Sequence, residues 1–236
     1  MKCKICKSKK TNILEKEIRG MFNLYVCSVC STVWAEPQEE YDFDKPGKTI
    51  KSTLLYYLSF IPFYRYYHKL ISNSIKHDSI LDVACGHGTL LKIYRYIHTD
   101  ILGRFNKKIL GIEPNPTPYL KNIPFIKSTV ENVNLDNKFD IINMKDILEH
   151  LKNPSGVLEM VISLLNYEGT LVISVPDIDS EEAISKGRCW KHIAPREHRF
   201  YFSEKSLDYI CCKLGLAKGP SMSLFKGGIT CFYYKL

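Results

Sequence analysis

The stretch Ser79-Ile80-Leu81-Asp82-Val83-Ala84-Cys85-Gly86-His87-Gly88 runs from a short apolar segment into a glycine-bearing turn, and Thr89 to Ile97 after it carries helical spacing. Glycines in such a turn let the backbone reverse tightly and leave room for a ligand against the main chain. The strand-like character returns at Ile109 to Ile112, Ile123 to Ile126, Phe139 to Asn143 and Thr170 to Val175. Short runs of this composition suit parallel strands buried on both faces. Helical candidates alternate with them at Pro116 to Leu120, Pro154 to Leu165 and Ser203 to Leu214. The last opens on a Ser203-Glu204-Lys205-Ser206 capping pattern and is closed by Gly215. This alternation is that of βαβ units and predicts an α/β fold. Ser221 to Phe225, Lys226-Gly227-Gly228 and Ile229 to Tyr234 read instead as a β-hairpin, so the sheet ends on two adjacent strands.

The turn also discriminates between ligands. A dinucleotide fingerprint is GxGxxG, with a pyrophosphate held at the helix N-terminus. Ala84-Cys85-Gly86-His87-Gly88 has no third glycine, and Asp82 stands two residues before it. An acid there is ill placed for a pyrophosphate and suits a ligand carrying an ammonium and a sulfonium, as S-adenosylmethionine does. Glu113, in Gly111-Ile112-Glu113-Pro114 at the end of the second strand, is placed to accept hydrogen bonds from both hydroxyls of a ribose. The expected cofactor-binding set is Asp82, Ala84, Cys85, Gly86, Gly88, Glu113 and Pro114, with His87 a cofactor-side neighbour.

Four segments carry a family likeness: ILDVACGHG (80–88), LGIEPN (110–115), FDIINMKDILEHLKNP (139–154) and LLNYEGTLVISVPD (164–177). Through them, residues 79 to about 176 resemble the class I S-adenosylmethionine-dependent methyltransferases. The resemblance implies a Rossmann-like seven-stranded sheet in the order 3-2-1-4-5-7-6 with the last strand antiparallel. It adds Thr129, Val130 and Met144 to the cofactor-binding set. Two residues depart from the family pattern. Ala84 stands where a glycine is usual, and Thr129 stands where an acid often contacts the adenine, so that contact would fall to its hydroxyl and nearby amides.

Cys3 and Cys6 pair as CxxC, as do Cys27 and Cys30. Two such knuckles supply four thiolates, matching one tetrahedral zinc, and a segment this short needs metal to fold. The other reading is two redox or incidental pairs. Four protein ligands leave no open position, so the expected zinc is structural. The remaining Cys85, Cys189, Cys211, Cys212 and Cys231 read as small hydrophobes. The chain is thus expected to comprise a zinc ribbon (1–36), a connector with lid helices (37–77) and a methyltransferase domain (78–236).

The chain has 236 residues, with 33 basic against 25 acidic side chains, a net charge of +8. That permits an anionic substrate without demanding nucleic acid. No signal peptide or membrane span is visible, and nine cysteines without an export signal point to a reducing, cytoplasmic setting. Residues 48 to 77 carry five basic side chains and no acid, interleaved with Tyr56, Tyr57, Phe60, Phe63, Tyr64, Tyr66 and Tyr67. They suit a lid helix broken near Pro62, a surface for an anionic or phosphate-bearing substrate, or a peripheral membrane contact.

Methyl transfer needs a base only if the acceptor must lose a proton. His150, in Leu148-Glu149-His150, resembles the LEH histidine of ubiquinone-biosynthesis O-methyltransferases, as a base or a structural hydrogen-bonder. His198, in the long Pro176 to Phe202 insertion with Trp190, His192, Arg196 and Tyr201, is the second candidate. The ribbon followed by such a domain is similar to methyltransferases of bacterial polysaccharide and secondary-metabolite clusters. The resemblance implies a small-molecule acceptor, a hydroxyl on a sugar or related metabolite. An RNA methyltransferase that binds RNA through the ribbon, and a non-catalytic scaffold that keeps the cofactor fold, are the alternatives.

Overall fold

A computed structural model describes residues 1–38, 60–104, 107–117 and 120–236. The chain divides into two units. One holds the N-terminal strands with Lys145–Met160 and Ile173–Tyr233; the other holds the following segment up to Met144, Val161–Val172 and Tyr234–Leu236.

In the first unit, β1 (Thr11–Ile18), β2 (Phe22–Cys27) and β3 (Val33–Glu36) form an antiparallel meander. A two-residue strand far along the chain, Phe200–Tyr201, completes its sheet by pairing Val33 with Tyr201 and Trp34 with Phe200. The apolar face of this sheet buries Ile18, Phe22, Leu24, Val33 and Ala35 against Ala183, Trp190, Ile193 and Tyr201. The segment expected as one long insertion, Pro176 to Phe202, therefore contains a helix (Glu181–Lys186) and a strand.

In the second unit, helix α1 (Phe60–Ser72) leads towards β4 (Ser79–Val83). Pro62 is the third residue of this helix as described, and the residues just before Phe60, including the far side of the expected break near Pro62, fall outside the described residues. The rest of the expected lid, residues 39–59, lies outside the described residues. Helix α2 (Thr89–Arg95) follows β4 and then widens into a π-helix over Tyr96–Ile101, where a plain helix to Ile97 was expected. β5 (Lys108–Ile112), β6 (Phe125–Ile126) and β7 (Phe139–Lys145) come next. The parallel register sets Asp82 level with Gly111 on one side and with Asn143 on the other. β6 is shorter than the expected Ile123 to Ile126. Pro124 has no N–H to give a ladder, and only its carbonyl is used, by Gly111 N at 2.9 Å. The expected helix at Pro116 to Leu120 lies partly outside the described residues.

Helix α3 (Pro154–Ser163) gives way directly to β8 (Leu165–Pro176), so the strand expected from Thr170 begins five residues earlier. The remaining elements, with the short helix and strand above counted as α4 and β9, are α5 (Glu204–Lys213), β10 (Ala217–Met222) and β11 (Gly228–Lys235). β10 lies upstream of the expected Ser221 to Phe225. Among the described residues, seven strands form one sheet, in the order β10-β11-β8-β7-β4-β5-β6. β4, β5, β6 and β7 pair in parallel, whereas the short connection from β10 to β11 permits only an antiparallel pair. At α5, Ser203 N–H donates to Ser206 Oγ at 2.8 Å, so serine fills the capping-box position usually held by Glu or Gln. Among the described residues no helix is long and apolar enough to cross a membrane.

Candidate functional site

The turn after β4 takes left-handed backbone at Ala84, Gly86 and Gly88, with φ of 56°, 56° and 66°. Glycine adopts such angles freely, while alanine carries a steric penalty of about 1 kcal/mol. The turn is tied to β5 by Cys85 N–H donating to Ile112 O at 3.0 Å. Glu113 then closes over it. Its Oε2 accepts from Gly86 N–H at 2.8 Å and its Oε1 from Asn115 N–H at 3.0 Å. A carboxylate oxygen that accepts one hydrogen bond retains capacity for a second. Glu113 thus fits a ligand that offers two neighbouring hydroxyls, as a ribose does.

Asp82, buried at the end of β4, accepts from Asn143 Nδ2 at 2.7 Å. Asn143 Oδ1 in turn accepts from Tyr66 O–H at 2.6 Å. This chain from α1 through β7 fixes the rotamer of Asp82. Burial, followed by the charges of Asp82 and Glu113, pushes the Cys85 thiol up, so it stays protonated. Such an anionic surrounding suits a cationic ligand. His87 Nδ1 lies 2.8 Å from Thr117 Oγ1. Met144 is fully buried beside Val83 in the register, Pro114 and Thr129 are half-buried, and Val130 is buried in a short 3-10 turn. Sequence reading passed over the roles of Asn143 and Tyr66. The signal for Asn143 was available, since an amide inside an apolar strand requires a polar partner.

The loop after β7 and the segment before β9 bring two of the expected residues together. The rings of His150 and His198 meet edge to face at 4.8 Å, and His192 stacks on His198 at 5.8 Å. His150 Nδ1 lies 2.8 Å from Glu197 O, and His198 Nδ1 lies 2.9 Å from His192 O. Burial first, then the neighbouring His150, pushes His198 down to about 3; burial also lowers His150. Both rings are therefore neutral near pH 7. Glu149, 2% exposed, is pushed up to about 8 by burial. Only the histidine of Leu148-Glu149-His150 stood out in the sequence, yet the glutamate is the more deeply buried.

Cys3, Cys6, Cys27 and Cys30 form a third cluster. Cys3 Sγ lies 3.5 Å from Cys30 Sγ, Cys6 Sγ lies 3.5 Å from Cys27 Sγ, and all four sulfurs fall within 4.8 Å of one another. Zinc–sulfur bonds of about 2.3 Å in a tetrahedron would place sulfurs roughly 3.8 Å apart, so the cluster fits that ion. Of the five other cysteines, Cys85, Cys211 and Cys231 are buried as small hydrophobes, but Cys189 and Cys212 are exposed.

The model of a family described as a methyltransferase domain matches residues 57–218. A comparison with curated proteins gives no match. Among solved structures, a Nostoc punctiforme PCC 73102 protein described as an O-methyltransferase superposes with a TM-score of 0.58 at 14% identity. The match covers 77% of this chain, which spans 58% of that protein's length. A Thermotoga maritima protein described as a SAM-dependent methyltransferase gives 0.56 at 15% identity, covering 78% and 96% of the two chains. The 1,6-didemethyltoxoflavin-N1-methyltransferase of Burkholderia thailandensis, with bound 1,6-didemethyltoxoflavin and S-adenosylhomocysteine, gives 0.52 at 13% identity, covering 80% and 93%.

Proposed function

The chain belongs to the methyltransferase domain family, and on that premise we propose that it moves a methyl group from S-adenosylmethionine to a hydroxyl of a small acceptor, a sugar or related metabolite. The observation that carries the cofactor assignment is the pair of buried acids at the ends of β4 and β5. Glu113 is braced by two backbone N–H groups with capacity left for the ribose hydroxyls. Asp82 is oriented by Asn143 and offers negative charge to the cationic methionine end. Ala84, Cys85, Gly86 and Gly88 supply the close main-chain approach, and Pro114, Thr129, Val130 and Met144 complete the set.

S-adenosylmethionine supplies a methyl group already activated by its sulfonium, which leaves the protein to bind, orient and exclude water. A hydroxyl acceptor must also lose a proton, and His150 and His198 are the residues proposed to assist that loss. The small-molecule acceptor follows the Burkholderia enzyme, whose structure holds 1,6-didemethyltoxoflavin. Calorimetry with S-adenosylhomocysteine tests the assignment. Asp82→Ala is expected to weaken binding ten-fold or more, roughly the value of one charged hydrogen bond; equal affinity in the variant would remove Asp82 from the site.

The same reading places one structural zinc on Cys3, Cys6, Cys27 and Cys30. The donor set and spacing support it, and four thiolates would close the coordination sphere. Metal analysis of Cys27→Ser should show one equivalent of zinc fewer than the parent chain; unchanged zinc would show that the ion sits elsewhere.

A further inference from the structure

Glu149, His150 and His198 offer one ligand atom each, and these atoms lie within 4.8 Å of one another. Backbone carbonyls hold the Nδ1 of both rings, Glu197 O for His150 and His192 O for His198. A ring that donates Nδ1–H to a carbonyl carries its lone pair on Nε2, and this is how proteins orient metal-ligating histidines. His150 Nε2 lies 3.9 Å from Glu149 Oε1. The second glutamate oxygen, Oε2, is buried and meets no hydrogen-bond partner among the described residues. A buried carboxylate is ordinarily paired with a cation or fully hydrogen-bonded. The charges that act on Glu149 are those of Asp146 and Lys145, and two imidazoles lie close enough to join it on one ion.

We propose that Glu149, His150 and His198 form a second metal site, distinct from the cysteine cluster, for a first-row divalent transition ion. Two imidazoles and one carboxylate suit zinc, manganese, iron or cobalt, and three protein ligands leave coordination positions open. An open site of this kind differs in kind from four closed thiolates. In the methyl-transfer reading, on which this role alone rests, such an ion would supply the chemistry of lowering the pKa of a bound hydroxyl, whose proton leaves to solvent water. The two histidines are then ligands rather than bases, and their neutrality is what ligation needs.

The test uses the full-length protein with its cysteine site loaded with zinc. Metal analysis first counts the ions already held, and Mn2+ is then titrated in, with free Mn2+ read by electron paramagnetic resonance. Manganese prefers oxygen and nitrogen to thiolate, so the titration reports on this cluster. The expected result is a total of two ions per chain, one of them lost or weakened at least ten-fold in both Glu149→Gln and His198→Ala. Circular dichroism and an unchanged content of cysteine-bound zinc verify that the variants fold. A total of one ion per chain at saturating Mn2+ and Co2+, or variants that bind as the parent does, would overturn the proposal. S-adenosylhomocysteine binding in the same samples separates the two readings. Its binding alongside a single ion sinks the metal site and spares the methyltransferase; two ions without it do the reverse.

Discussion

Gly111 owes its lack of a side chain to a residue on the neighbouring turn. A Cβ there would stand 2.6 Å from Cys85 Sγ and 3.3 Å from Leu91 Cδ1. Both neighbours are buried, so neither can swing away into solvent. Gly111→Ala should therefore displace the turn that presents Gly86 to Glu113. We expect a loss of about 1 to 3 kcal/mol in urea unfolding, the usual cost of overpacking, with weaker S-adenosylhomocysteine binding by calorimetry. Wild-type stability and affinity in this variant would show that the turn can shift without harm. At this scale the sequence was readable where a charge interrupts an apolar run, as at Asp82 and Glu113. It was unreadable where the partner comes from far along the chain. Tyr66 reaches Asn143 across 77 residues, and nothing in the aromatic run around Tyr66 distinguishes it from its neighbours. Glu149 is not distinguished in the sequence, because exposure, not residue type, separates a solvated acid from a buried one.

The π-helical turn Tyr96–Ile101 turns His98 inward. The residue is 2% exposed, its ring packs on Tyr94 at 4.4 Å, and its Nε2 lies 3.1 Å from the hydroxyl of Tyr67. Burial first, with Lys107 and His77 next, pushes His98 down to about 4. In the unfolded chain its pKa returns to about 6.5. The contribution is thus fully present above pH 6.5 and is lost as pH falls towards 4, because the unfolded chain then binds a proton that the native chain refuses. The shift corresponds to about 3 kcal/mol at most. Urea midpoints at pH 7 and pH 5 should differ in the wild type, and His98→Gln should flatten that difference; an equal slope in the variant would assign the acid sensitivity to other groups. Elements were legible where period and cap agree, as in β4, β5 and α5. Boundaries slipped where backbone chemistry overrode composition: Pro124 shortened β6, and β8 began directly where α3 stopped. A π-helical insertion leaves no mark on apolar spacing that a short window can detect.

On the scale of the molecule, the N-terminal strands share a sheet and an apolar core with residues some 150 positions downstream. The sequence reading divides the chain into 1–36, 37–77 and 78–236, and an independent ribbon would leave 37–236 unharmed by its removal. The shared core predicts otherwise: deleting 1–36 uncovers Trp190, Ile193 and Tyr201 and removes the strand that pairs with β9. A loss comparable to one large core truncation, about 3 kcal/mol or more, should lower Tm by roughly 10 °C in calorimetry. An unchanged Tm in the shortened chain would restore the ribbon's independence. The α/β class and the terminal hairpin were legible because each is written in consecutive residues. β9 was not, since two aromatic residues carry no period and their pairing depends on a partner 168 residues away.

That distance also sets an order of events during synthesis. A ribosome adding about 5 to 20 residues per second delivers Tyr201 roughly 8 to 34 s after Val33. For that interval the first three strands exist with an open edge and with half of their apolar core still unmade. An open edge is a template for pairing with other chains. The four cysteines are all complete by residue 30, so they can close before the rest of this unit arrives. With zinc on them as proposed, metal supply during translation would govern how much chain reaches the native state.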